Sequence, residues 1–94
     1  MKPRGIADHP YQVGKPYFIR TVTMYYTGRL MEVTPQELVL ESAAWIADTG
    51  RFEAALRTGD FSEVEPYPVG RLIIGRGALI DAFQVSFDLP TKQK

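Results

Sequence analysis

The single histidine, His9, stands before Pro10 in a polar, proline-bearing stretch, so general-base chemistry would depend on a group carried by a loose segment. We read it as a surface residue. Glu63 and Glu65 would point to one side of an extended chain and could hold a metal or share acid-base work, but no third ligand stands at a suitable spacing. A solvated acidic segment is the expectation there. Gly75-Arg76-Gly77 opens like a phosphate-binding glycine loop, yet Ile80 occupies the place of the third glycine and no lysine follows. The sequence thus offers no catalytic residue, no metal site and no cofactor, and we expect a protein that is not an enzyme.

Binding chemistry has more to draw on. Arg76, with Gly77 and Arg29, is the candidate set for nucleic acid, and Tyr17, Tyr25, Tyr26 and Trp45 could stack on bases. The alternative for Arg76 is structural, its guanidinium satisfying carbonyls and a neighbouring carboxylate. We favour the structural reading, and for the rings we favour core or interface packing, because Arg20 and Arg29 are the only close basic neighbours. Lys plus Arg and Asp plus Glu both total 11, so no general basic field draws in RNA or anionic lipid. Any nucleic-acid contact would have to be local.

The elements that must position these residues read as strands. Residues 1–16 carry three prolines and two glycines, which excludes a regular helix or strand and suggests an arm anchored by Tyr11 and Val13. Tyr17 to Tyr26 is aromatic and β-branched, a first strand. Thr27-Gly28 permits a bulge, Leu30 to Val33 continue as a second strand, and Thr34-Pro35-Gln36-Glu37 is a turn with proline in its favoured second position. Leu38 to Ala44 is a half-buried third strand.

From Asp48 a helix start signal precedes Phe52-Glu53-Ala54-Ala55-Leu56, and Gly59 suits a helix C-cap, so a short helix should dock Phe52, Ala55 and Leu56 beside Trp45 and Ile46. Asp60 to Gly70, acidic and broken by Pro66 and Pro68, reads as a loop or a bulged edge. Arg71 to Ile74 is a fourth strand. Beyond the Arg76-Gly77 turn, Phe83, Val85, Phe87 and Leu89 alternate with polar or small residues as a fifth, and the tail 90–94 should fray.

The chain has 94 residues and can bury about 60 to 65% of its unfolded surface, which is marginal for a domain standing alone. It has no cysteine, hence no disulfide or thiolate chemistry. No apolar run approaches the about 18 residues of a membrane helix, and the first ten residues lack a signal pattern. The expected setting is the cytoplasm, or packaging from it, neither secreted nor membrane-bound.

Gly28-Arg29-Leu30, Leu38-Val39-Leu40-Glu41-Ser42-Ala43 and Gly75-Arg76-Gly77 with its following apolar residues together resemble the Sm and Sm-like family over about residues 18 to 85. The resemblance implies a mainly β fold, a five-stranded, strongly bent, partly open barrel at residues 17–89, with a short helix inserted between strands three and four in the segment 45–70. It also implies a homo-oligomeric ring of about five to seven copies, in which the fourth strand of one subunit pairs with the fifth of the next. The seam would comprise Arg71, Leu72, Ile73 and Ile74 against Leu79, Ile80, Phe83 and Val85. RNA-binding members grip a uracil with an Asp, an Asn and the Arg of the Arg-Gly turn. The Arg matches Arg76, but Thr34 stands for the Asp and Glu37 or Leu38 for the Asn.

Ala44 to Phe52 also resembles small proteins of tailed phages. The expectation is a ring-forming structural or adaptor protein, capsid- or neck-associated, that presents Trp45, Arg51, Phe52, Glu63 and Glu65 to a partner such as another virion protein. The alternatives are an RNA-binding Sm-like ring and a monomeric β-barrel that binds a peptide along its edge.

Overall fold

The computed structural model describes residues 9–94; the first eight residues of the expected arm lie outside them. In chain order the elements are β1 (Pro16–Thr21), β2 (Tyr25–Val33), β3 (Glu37–Asp48), α1 (Phe52–Thr58), β4 (Glu63–Pro66), β5 (Arg71–Gly75), a 3-10 turn (Arg76–Ala78) and β6 (Leu79–Gln84). The fold is mainly β, with one α-helix between the third and fourth strands, as expected. Among the described residues the strands number six rather than five.

All pairings are antiparallel, in the order β4-β3-β2-β1-β6, with β5 also on β3. The two halves of β3 take different partners: residues 37–41 pair with β5 and residues 44–48 with β4. The sheet does not close into a barrel.

Both faces of the sheet are covered. Tyr17, Ile19, Leu30, Leu38, Leu40, Ala43 and Ile74 form one core. Phe18, Ala44, Ile46, Val64 and Val85 form the other beneath Ala55 of α1 and Phe61. Successive residues of a strand face opposite sides, so Phe18 and Ile19 enter different cores, and this is why the start of β1 is apolar without alternation. Each fully buried Phe, Leu or Ile contributes about 1.5–3 kcal/mol of transfer free energy.

The expected first strand, 17–26, is broken. Thr21 turns the chain: its Oγ1 accepts from Met24 N at 3.0 Å and donates to Met24 O at 2.8 Å, closing a hairpin that contains neither glycine nor proline. The third strand runs on past Ala44 to Asp48, which makes Trp45 and Ile46 strand residues rather than parts of an insertion.

The helix begins at Phe52, later than the Asp48 signal suggested, because Asp48 Oδ1 instead accepts from Gly50 N at 2.8 Å. Its end is as read: Gly59 is left-handed, at φ 79°, and its N–H bonds to Ala55 O. The helix covers Ile46 and Phe18. Trp45 lies on the other face of the sheet.

Glu63–Pro66 is an edge strand, with its proline last, where a missing N–H is tolerated. The fifth expected strand stops at Gln84, and one further bond, Val85 N to Pro16 O at 3.0 Å, continues the pairing. The tail departs from the expected fraying: Lys94 and Val64 exchange backbone bonds at 2.9 and 3.0 Å, and the Lys94 ammonium pairs with Asp60. Of the arm, Tyr11 packs against the first core while Val13 is exposed.

Candidate functional site

The 3-10 turn Arg76–Ala78 links two strands whose outer edges are unpaired among the described residues. There β5 bonds on one side only, to β3, and β6 on one side only, to β1. Their apolar side chains divide between core and solvent. Ile74 is buried, Leu72, Leu79 and Ala82 are half-buried against the first core, and Ile73, Ile80 and Phe83 are 60%, 59% and 55% exposed. Ile80 is the extra residue of a bulge, because Arg20 pairs with Asp81 and Thr21 with Leu79. Val85, expected at the seam, is a buried member of the second core.

An ion pair fixes β6 against β1. Arg20 Nε donates to Asp81 Oδ1 at 2.9 Å and its Nη2 to Oδ2, a two-pronged contact. Hydrogen bonding by Arg20 holds the Asp81 carboxyl below its ordinary pKa, against a smaller opposing effect of burial, and the same bond raises the Arg20 pKa. The Arg20 guanidinium also lies over the Phe52 ring, 5.4 Å from its centroid, so it ties α1 to the β6 edge.

Of the candidate nucleic-acid residues, Arg76 is half-buried and Arg29 and Gly77 are exposed, and both arginines donate to backbone carbonyls. Arg76 donates through Nη1 to Thr34 O at 2.7 Å and through its backbone N–H to Gln36 O at 2.8 Å, with Tyr11 beneath the guanidinium. It thereby locks the 34–37 turn, where Thr34 Oγ1 accepts from Gln36 and Glu37 N–H. Arg29 donates to Gly14 O at 3.0 Å and so fastens the arm to β2. Gly77 is exposed beside Arg76. Arg71 spans β3 to reach Glu32 at 2.6 Å.

The expected partner-facing residues scatter. Arg51 and Phe52 are exposed at the start of α1, whereas Glu63 and Glu65 share one face of β4. Trp45 stands directly opposite Glu65. His9, expected at the surface, is half-buried, its ring 5.9 Å from that of Tyr11. Among the described residues no group of three or more His, Cys, Asp or Glu is placed to hold a metal ion, and no helix is long and apolar enough to cross a membrane.

Sequence reasoning missed the Arg20-Asp81 pair. Its signal was an arginine within an otherwise apolar strand, and such a residue needs a carboxylate nearby. Compared with protein-family models, with curated proteins and with solved structures, the chain matches none. Chemically, the arrangement displays two unpaired strand edges with exposed aliphatic and aromatic side chains, which suits backbone pairing with another chain.

Proposed function

We propose that this protein is a structural element that assembles with copies of itself, β5 of one copy adding to β6 of the next. The observation that carries this reading is the pair of free edges with Ile73 on one and Ile80 and Phe83 on the other. Two complementary edges on one subunit make a head-to-tail contact, and such a contact removes both edges only when a ring closes.

The sequence resemblance to the Sm-like family supports a ring of about five to seven copies. The likeness of Ala44 to Phe52 to small phage proteins supports a place in a virion, at the capsid or neck. An RNA-binding ring is the second reading. It is disfavoured because Arg29 and Arg76 each already donate to a backbone carbonyl.

Native mass by light scattering at high salt, with absorbance at 260 nm followed through purification, tests the proposal. A ring free of nucleic acid is the expected result. A species of 10.6 kDa would overturn autonomous assembly. A ring that retains RNA at low salt and sheds it at high salt would overturn the structural reading in favour of the second one.

A further inference from the structure

A second exposed surface lies where β2, β3 and β4 pair. Tyr26, Trp45 and Glu65 are successive partners across β2, β3 and β4, so all three side chains stand on one face of the sheet. Tyr67 follows Glu65 by two residues, and its backbone N–H bonds to Ala43 O at 2.9 Å. Its ring lies 6.3 Å from that of Tyr26. Burial, together with Tyr26, pushes the Tyr67 hydroxyl pKa up. The Tyr26 hydroxyl in turn reaches Met24 Sδ at 3.5 Å. Between these groups lies a shallow groove of about 460 Å³ lined by Met24, Trp45, Glu65, Pro66, Tyr67 and Pro68.

This face is the one that carries the first core elsewhere in the sheet, yet here Trp45 is 39%, Tyr67 42% and Met24 44% exposed. The groove contains one charge, the Glu65 carboxylate, which has no ion-pair or hydrogen-bond partner among the described residues. Among the described residues, Lys94 is paired with Asp60 and Arg71 with Glu32.

Those facts select the occupant. Anything that covers Trp45 also covers Glu65, its direct cross-strand neighbour, and an apolar occupant would leave a carboxylate buried and unpaired. A nucleic-acid strand would bring phosphate to the same carboxylate. A guanidinium or ammonium satisfies every group present, since the ring faces attract it and Glu65 neutralises it.

We propose that the groove between Trp45 and Tyr67 binds an arginine or lysine side chain presented by a polypeptide partner, with the two rings flanking the cation and Glu65 as its counter-ion. Trp45 and Glu65 stand on paired strands, and Tyr67, directly after β4, is held to β3 by its bond to Ala43. It does not depend on the assembly proposed above.

Trp45 is the only tryptophan in the chain, so its fluorescence reports this site alone. The experiment titrates the full chain with acetyl-Gly-Arg-Gly-Arg-Gly-amide, with the same peptide carrying neutral citrulline for arginine, and with oligouridylate. The expected result is a saturable change with the arginine peptide only, weakened by salt. Glu65→Gln and Tyr67→Ala should each weaken it by about three- to tenfold, while Glu53→Gln on α1 leaves it unchanged. No saturable change, an equal response to the citrulline peptide, a tighter response to oligouridylate, or wild-type binding by Glu65→Gln would each overturn the proposal.

Discussion

Gly28 in β2 lies so close to Leu40 in β3 that a β-carbon at position 28 would stand 3.0 Å from the Leu40 Cβ and from one of its methyl carbons. The register of β2 on β3 shifts at this point, between Thr27 and Arg29, and the glycine lets the two strands meet across the bulge. Leu40 is fully buried and its Cβ is fixed by the backbone. Gly28→Ala is therefore expected to cost about 1–3 kcal/mol, seen as a lower urea midpoint at unchanged slope. Gly77→Ala, where nothing lies within 4 Å of the added carbon, should change stability by less than about 0.5 kcal/mol.

Ser42 is the one non-glycine with positive φ among the described residues, at 51°. It sits where β3 passes from its β5 partner to its β4 partner. A branched side chain is strained in this conformation, so Ser42→Val should lose about 1–2 kcal/mol relative to Ser42→Gly in thermal or urea unfolding. Ser42→Gly is expected to match the wild type or exceed it.

Thr27 is completely buried, and its Oγ1 has no hydrogen-bond partner. It stands opposite Phe18 on one side and Ala44 on the other, both in the second core. Replacing an orphaned hydroxyl by a methyl removes a desolvation penalty, so Thr27→Val should raise stability by about 1 kcal/mol. A rise of several degrees in melting temperature would show it.

Asp81 has a lowered pKa in the folded state, chiefly through its hydrogen bonds from Arg20. The stability it contributes is present above the ordinary carboxylate pKa of about 3.9 and is lost as pH falls through the lower folded-state value. Asp81→Asn should flatten this part of the acid limb of a stability-versus-pH curve by lowering stability at neutral pH, while leaving the most acidic region little changed. Because the pair is partly exposed, the difference should shrink as salt is added.

Ile73→Lys and Phe83→Lys each place a charge on an exposed side chain beside an unpaired strand edge. Each should leave the unfolding free energy of the subunit within about 0.5 kcal/mol of wild type. Under the proposed assembly each lowers the native mass, because an edge lysine would be desolvated in the joined sheet. A native mass unchanged by both variants would argue that the copies meet through another surface.

Much of the local structure was legible because it depends on chemistry between near neighbours. Gly59 caps α1 as its type and position suggested, and Thr34 to Glu37 form the turn that Pro35 announced. The Arg76-Gly77 turn joins β5 and β6 where the glycines stand. The misreadings share a cause. Thr21 to Met24 consists of good strand formers, and it turns because the Thr21 hydroxyl closes a hairpin whose arms are held together by pairing between β1 and β2. Of the two readings of Asp60 to Gly70, a loop or a bulged edge, the second holds at Glu63 to Pro66, because the second half of β3 offers it a partner. Phe83 and Val85 looked equivalent by alternation, yet Phe83 is exposed and Val85 is core, because β6 ends between them at Gln84.

By itself, then, the sequence determined a mainly β chain with one short capped helix and an Arg-Gly turn between its last two strands. Those properties follow from residue type and short spacing, which act before the chain has folded. Only the tertiary structure decided that Arg76 and Arg29 each donate to one of the chain's own carbonyls. It alone left Ile73 and Phe83 beside unpaired edges and aligned Tyr26, Trp45 and Glu65 across three strands. Strand pairing and register join residues far apart in the chain, and a one-residue change of register sends every side chain of a strand to the opposite face.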